Sequence, residues 1–305
     1  MRFACDSYRM TPITEVEGRR LSLSNLDKVL YPATGTTKGE VLHYYAATAA
    51  GVLLPHLRDR PVSFLRYPDG PEGQLFFTKN PPPGTPSWVR RAPVPHHGSE
   101  PSEQVVVEDL ASLMWAANLV VEFHTPQWRA ETPAVADRLV FDLDPGAPAT
   151  VVECCRVALW LRERLADDGL TAYGKTSGAK GLHLLVPIVP TDSAAVSAYA
   201  KGLAVRAEKE LADLVVHRMR KALRPGKVFV DFSQNAAAKT TATPYTLRAR
   251  AEPAVSAPVT WAEIEGCRSP ADLVFLADGM TARLDRHGDL LAPLCDPEAG
   301  RPLPA

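Results

Sequence analysis

Phe141-Asp142-Leu143-Asp144-Pro145-Gly146 sets two acids two residues apart in a short apolar run that ends at a Pro-Gly turn. Side chains alternate across a β-strand, so Asp142 and Asp144 share one face while Leu139, Phe141 and Leu143 fill a core on the other. A third acid, Asp231, closes a second such run, Val228-Phe229-Val230-Asp231-Phe232. Acids on buried strands are costly unless a cation or partner balances them. Hard divalent cations take oxygen ligands, and a pair of them serves in-line phosphoryl transfer. Asp142, Asp144 and Asp231 are therefore the expected catalytic and metal-ligating set. D-x-D alone is a weak signal, since two solvent-facing acids on an edge strand have the same spacing.

The 305 residues suffice for one large domain or two intimate lobes, and 46% hydrophobic with 23% charged residues reads as globular. Net charge is −1, so overall charge does not point to nucleic acid. Local charge does: from His217 to Arg250 there are eight Lys and Arg to one acid, Asp231, a formal +7 around a candidate ligand. Five cysteines without C-x-x-C spacing argue against a zinc site or disulfide framework and for a reducing compartment. The N-terminus lacks the apolar core of a signal peptide, and no apolar run approaches the ~18 residues of a membrane span. The expected location is the cytoplasm, with no membrane partner.

Working outward, residues 1–18 read as a flexible lead, 19–295 as one domain of two lobes and 296–305 as a tail. Thr37 and Glu40 form a capping box for a helix toward Leu54. Strands are expected at 62–66, 75–78, 121–124, 139–143, 172–173, 182–186 and 228–232. Helices are expected at 110–119, 151–166, from Ser193 to about Leu223 behind an Asp192 cap, and from Thr260-Trp261. Prolines make 80–104 read as loop. Strands and helices mix without strict β-α-β alternation, so the predicted fold class is α+β, with mixed and antiparallel sheets flanked by helices and the acids between two lobes.

Three further groups carry chemistry. Lys175-Thr176-Ser177-Gly178-Ala179-Lys180-Gly181-Leu182-His183 reads as a phosphate cradle, in which glycines let amides approach an anion and Lys175, Ser177 and Lys180 add hydrogen bonds and charge. His183 begins the following strand on the face opposite Leu182 and Leu184. The run is not a P-loop, and a plain hairpin turn with a core histidine would look alike. Gln234 and Asn235 after Asp231, then Lys239, Arg248 and Arg250, suit a triphosphate lining. Asn25, Lys28 and Lys38 mean little by themselves. Phe76 and Phe77 are core residues or a stacking platform for bases.

Leu-Val-Phe-Asp-Leu-Asp-Pro-Gly, Thr-Ser-Gly-Ala-Lys-Gly-Leu-His and Lys-Val-Phe-Val-Asp-Phe-Ser-Gln-Asn together resemble the polymerase domain of bacterial ligase D, of the archaeo-eukaryotic primase superfamily. The resemblance runs from about Gly18 to Leu291 and takes in Leu-Asp-Lys-Val-Leu-Tyr-Pro at 26–32 and Thr-Pro-Gln-Trp-Arg at 125–129. It implies a two-lobed primase-polymerase that extends DNA 3′ ends in non-homologous end joining, preferring ribonucleotides. The implied cofactors are two divalent ions, Mn²⁺ or Mg²⁺, at Asp142, Asp144 and Asp231, with a nucleoside triphosphate as substrate. The resemblance assigns nucleotide contacts to His124, Lys175, Ser177, His183 and Arg248. It gives a DNA 5′-phosphate pocket to Asn25, Lys28 and Lys38, template stacking to Phe76 and Phe77, and a 3′-end loop to Lys221 and Arg224. Implied partners are DNA gaps, overhangs and double-strand ends carrying a 5′-phosphate, with Ku and a separate ATP-dependent ligase, at the nucleoid. The chain holds no recognisable ligase or nuclease segment, so an excised domain and a free-standing polymerase both fit, the Met1 start favouring the latter.

Two rivals use the same residues. A D-x-D phosphatase of the haloacid-dehalogenase kind expects Thr or Val two positions after the second acid, where Gly146 stands, and a D-x-D glycosyltransferase leaves the basic 217–250 segment without a purpose. A non-catalytic DNA-end-binding module would use the 5′-phosphate pocket but not three acids beside DNA.

Overall fold

The computed structural model describes residues 13–94 and 102–304, with only the backbone at Val121. The fold is α+β. Two small hairpins open it, β1 (Ile13–Val16) with β2 (Arg19–Ser22) and β3 (Val29–Tyr31) with β4 (Thr36–Thr37). A helical rod follows, made of α1 (Lys38–His43), a π-helical stretch (Tyr44–Ala49) and α2 (Ala50–Leu57). Next come β5 (Pro61–Arg66), β6 (Phe76–Thr78), β7 (Arg91–Val94), β8 (Ser102–Val106), α3 (Leu110–Ala117) and β9 (Val121–Thr125). The second half holds β10 (Val135–Pro145), α4 (Val151–Asp167), β11 (Tyr173–Thr176), β12 (Leu182–Asp192), α5 (Ser193–Glu210) and β13 (Val215–Val216). It ends with β14 (Val228–Asp231), β15 (Thr241–Ala242), β16 (Pro258–Val259), α6 (Trp261–Gly266) and α7 (Met280–His287).

The strands build two main sheets, ordered β13-β14-β10-β12-β11-β16 and β15-β9-β5-β8-β7, with β6 on β5 as well. Each has its own core. Leu139, Phe141 and Leu143 pack with Leu184 and Val230 beneath α4 and α5, as strand alternation requires. Each fully buried Leu there contributes about 1.5–3 kcal/mol relative to exposure. Val62, Phe64 and Phe123 form the second core with α1, α2 and α3. The chain crosses from the first sheet at β14 to the second at β15 and back at β16, which sews the lobes together. Asn235 fixes that crossing: its Oδ1 accepts from the Val140 N–H and its Nδ2 donates to the Val140 carbonyl, both at 2.8 Å.

The Thr37 capping box and the Asp192 cap form as the sequence predicts, and Thr150 and Thr260 form capping boxes for α4 and α6 as well. Four expectations are corrected. The long helix stops at Glu210, because Val215 and Val216 join β14 as a parallel strand. Residues 80–104 include β7 and part of β8. Pro93 is tolerated there because β7 is the edge strand and the ring faces outward. The irregular lead becomes a hairpin from Ile13 onward, while residues 1–12 lie outside the described residues. Residues set apart as a tail lie along β12, where the Val189 N–H donates to the Arg301 carbonyl at 3.0 Å. No helix among the described residues is long and apolar enough to cross a membrane.

Candidate active site

Register assembles the site. Asp231 stands opposite Asp142, Asp142 opposite His183, and His183 opposite Lys175. Directly opposed residues share a face, so these four form a row across β14, β10, β12 and β11, turned away from α4 and α5. Asp144, two residues on from Asp142, joins it. The D-x-D spacing therefore marks a paired central strand and not a solvent edge.

His183 Nε2 lies 3.3 Å from Asp142 Oδ1. Burial first, then Lys175, pushes the His183 imidazole down to about 4, so it is neutral at pH 7. For Asp142, burial opposes ionisation, but His183 and then Lys175 and Arg248 outweigh it and hold the carboxyl below its usual range. Asp144 is raised, by burial and then by Asp142. Asp231 caps the turn Phe232–Asn235: its Oδ1 accepts from the Ser233 N–H and Oγ at 2.9 and 2.6 Å, and its Oδ2 from Gln234 Nε2 at 3.1 Å. Gln234 is thus engaged with the acid itself. With Asp231 turned onto its own cap, no three His, Cys, Asp or Glu side chains among the described residues already form a metal cage.

The glycine turn behaves differently from an open cradle. Ser177 Oγ accepts from the Ala179 and Gly181 N–H groups, both at 3.1 Å, so those amides are spent within the turn. Lys175 is wholly enclosed, donating to Ser256 Oγ at 2.6 Å, and burial pushes its ammonium well below its usual range. It acts on the row through the field at Asp142 and His183. Gly178 is required here: φ is +66°, and a Cβ would meet Arg248 Cγ at 2.5 Å.

Sequence reading missed Glu122. This 4%-exposed acid on β9 accepts from Arg248 Nε at 2.9 Å and the Ala249 N–H at 2.8 Å, and lies 3.0 Å from His124 Nε2. It aims Arg248 across the lobes at the Ser177 carbonyl, to which the guanidinium donates. The signal was present: in Val121-Glu122-Phe123-His124 the acid and histidine share a face for the reason that Asp142 and Asp144 do. Burial first, opposed by the Glu122 hydrogen bond, lowers the His124 imidazole.

The DNA-facing candidates group in three places. Lys28 and Lys38 meet where the Lys38 N–H donates to the Lys28 carbonyl at 2.8 Å, and the Lys28 N–H donates to that of Asn25 at 3.0 Å. Asn25 has φ of +55°, which Asn tolerates better than most residues. Lys38 is buried, and burial followed by Lys28 brings its ammonium down to about 8. Phe76 and Phe77 are 42% and 56% exposed, which rules out the core reading. Lys221 is exposed, and Arg224 stacks 3.6 Å from the centroid of Phe229. Their loop rests on Gly146, where a Cβ would meet the Arg224 carbonyl at 2.1 Å, so the D-L-D-P-G glycine seats this loop beside Asp144.

This fold and its row of acids define the class as a primase-polymerase, a nucleotidyltransferase. The chain belongs to the family described as the LigD primase-polymerase domain, whose model matches residues 37–291. It is 44% identical over 279 residues to the multifunctional non-homologous end joining protein LigD of Mycolicibacterium smegmatis, covering 90% of this chain and 36% of that protein. It is 30% identical to the bifunctional LigD of Bacillus subtilis, covering 88% and 43% respectively. The chain thus spans less than half the length of these relatives. The polymerase domain of Mycobacterium tuberculosis ligase D, solved in complex with DNA, superposes with a TM-score of 0.85 at 43% identity, covering 90% of this chain and 98% of that one.

Proposed function

We propose that this chain extends 3′ ends at DNA breaks and gaps in non-homologous end joining, using nucleoside triphosphates with a preference for ribonucleotides. The observation that carries the reading is the row of Asp231, Asp142, His183 and Lys175 across four strands, with Asp144 beside it. Three carboxylates on one sheet face are the oxygen donors that Mn²⁺ or Mg²⁺ take, so the donor set fits a pair of divalent ions once Asp231 leaves its cap. Held by Asp142, Asp144 and Asp231, the ions would activate the primer 3′-hydroxyl and stabilise the departing pyrophosphate.

The chain's own groups do the rest. His183 orients Asp142, and enclosed Lys175 supports it through space. Arg248, held by Glu122, reaches the triphosphate with Ser177, Gln234 and His124. Asn25, Lys28 and Lys38 receive the 5′-phosphate of a gap, overhang or end. Phe76 and Phe77 stack on template bases, each stack worth about 1–3 kcal/mol, and Lys221 and Arg224 engage the 3′ end. Ku and a separate ATP-dependent ligase are the proposed partners, in the cytoplasm at the nucleoid.

The test is primer extension on gapped, 5′-phosphorylated DNA with Mn²⁺ or Mg²⁺, comparing ribo- and deoxynucleotides. Extension that favours ribonucleotides and stops with Asp142→Ala is the expected result. DNA binding without extension under either ion would replace the proposal with an end-binding module.

A further inference from the structure

Cys295 differs from the other cysteines among the described residues. Cys154, Cys155 and Cys267 are buried in the core of the β10 sheet. The Cys154 and Cys267 thiols donate to the carbonyls of Leu143 and Ser269, which hold a thiol proton but do not remove it. Cys295 is only half-buried, and its Sγ lies 3.2 Å from His56 Nδ1.

A third group completes the arrangement. Asp289 Oδ1 accepts from the Tyr245 hydroxyl at 2.6 Å and the Leu291 N–H at 2.9 Å. Its Oδ2 is left 3.3 Å from His56 Nε2, off the line of a hydrogen bond. Contacts of this kind are often poorly aligned before a substrate binds. With a carboxylate beside Nε2 the ring proton belongs there, so Nδ1 is the acceptor for the thiol. Nucleophile, base and orienting carboxylate thus come from the turn Ala292–Cys295, from α2 and from the segment before that turn. Leu291 and Leu294 pin the turn against Val140 and Leu185. Burial holds the Cys295 thiol above its usual range, against the pull of Arg138, so at rest it keeps its proton and needs a base. Burial also lowers the His56 imidazole, which is therefore neutral and able to accept.

Cys295 opens into a cavity of about 460 Å³, within the range of small-ligand sites. Its lining carries both signs of charge. Arg58 stands exposed at the mouth. Asp137 is taken up by Arg60 and Arg129. Asp296 Oδ1 accepts from the Glu298 N–H at 2.9 Å, which leaves Oδ2 for a ligand. A molecule bearing a carboxylate and an ammonium group meets Arg58 and Asp296 together.

We propose that Cys295 is a site of reversible mixed-disulfide formation, with His56 as the base and the cavity as the seat of a small amino-acid or peptide thiol. The inference does not rest on the polymerase reading. In the exchange, His56 Nδ1 takes the Cys295 proton as Sγ attacks one sulfur of the small molecule's disulfide. The new S–S bond forms as the old one breaks, and the departing thiolate takes the proton from His56. One disulfide is consumed and one is formed, so no other oxidant is needed, and excess free thiol reverses the step.

The probe is oxidised glutathione, which carries both charges, added to the full chain and followed by intact mass and peptide mapping. One glutathione per folded chain is expected, on Cys295, and excess reduced thiol should remove it. Cys295→Ser should abolish the adduct and leave primer extension unchanged. His56→Gln should slow the adduct by about 10²-fold. Two comparisons need no variant. Cys295 should react faster in the folded chain than in the chain unfolded in urea, where no base is beside it. Slower reaction in the folded chain would overturn the role of His56 and reveal a thiol that is merely shielded. Bis(2-hydroxyethyl) disulfide, which is uncharged, should lose about tenfold of that advantage. An equal advantage for both disulfides removes the seat for a charged thiol. An adduct that maps to any cysteine other than Cys295, or no adduct at all, refutes the proposal.

Discussion

In the sheet of β10, His183 and Lys175 are 5% and 0% exposed and meet other polar groups, whereas on the edge of the sheet of β5, Phe76 and Phe77 stand 42% and 56% exposed. One sheet encloses its candidate side chains and the other presents them. Enclosure lowers the local dielectric, strengthens each electrostatic contact and ties function to stability. Exposure leaves a surface that a macromolecule can cover, at little cost to folding when it is altered. The proposed nucleotide and DNA contacts therefore divide into an enclosed part and an exposed part. Glu122 and Arg248 belong to the second lobe yet reach into the first.

If this division is right, the largest effect comes from the row itself. Asp142→Ala should lower the extension rate by about 10³-fold or more in single-turnover assays, and near-normal turnover would break the comparison. Glu122→Gln should come next. It leaves Arg248 and His124 without their carboxylate, raising the nucleotide KM by about 10–100-fold with a smaller change in kcat, and it lowers Tm because the partner of a buried charge is lost, a class of change costing about 3–5 kcal/mol. Equal loss in kcat and kcat/KM would instead mean that Glu122 acts only in the transition state. Phe77→Ala should weaken binding of template DNA by about 1–3 kcal/mol with an unchanged Tm. A drop in Tm would show that the ring is structural.

Lys38 gives a pH test. Its ammonium is lost in the folded protein as pH rises through about 8, against 10.5 for an unperturbed lysine. Preference for a 5′-phosphate should therefore fade above pH 8 in competition binding. Between these values the unfolded chain binds the extra proton, so Lys38's contribution to stability rises with pH. The smallest effect is Asp69→Ala. Lys28 Nζ meets Asp69 at 2.6 Å, but the side chains are 38% and 68% exposed, so the pair is worth at most about 1 kcal/mol. Calorimetry should show no more than that, with DNA affinity slightly increased as Lys28 is freed.

Much of the site was legible because strand parity is local. The D-x-D spacing gave the face of Asp142 and Asp144, and the apolar flanks gave the core beneath α4. Glu122 obeyed the same rule and was overlooked only because an acid beside a histidine in an apolar strand carries no motif. The helix from Ser193 was drawn too long because nothing between Glu210 and Leu223 breaks a helix locally, and the pairing of Val215 and Val216 with β14 is a long-range choice. The strand at Arg91 was hidden by Pro93, which is admissible only at an edge, and edge position is not a property of sequence.

Alternation and capping, which act within a few residues, thus fixed from the chain alone that Asp142 and Asp144 share a face, where α1 and α5 begin and that Leu139, Phe141 and Leu143 enter the core. The tertiary structure decided that Asp231, His183 and Lys175 line up with them, that Lys175 is sealed behind Ser256, and that Glu122 holds Arg248 from the other lobe. Those relations depend on register between strands distant in the chain, which is set by packing of the whole sheet and not by any neighbouring residue.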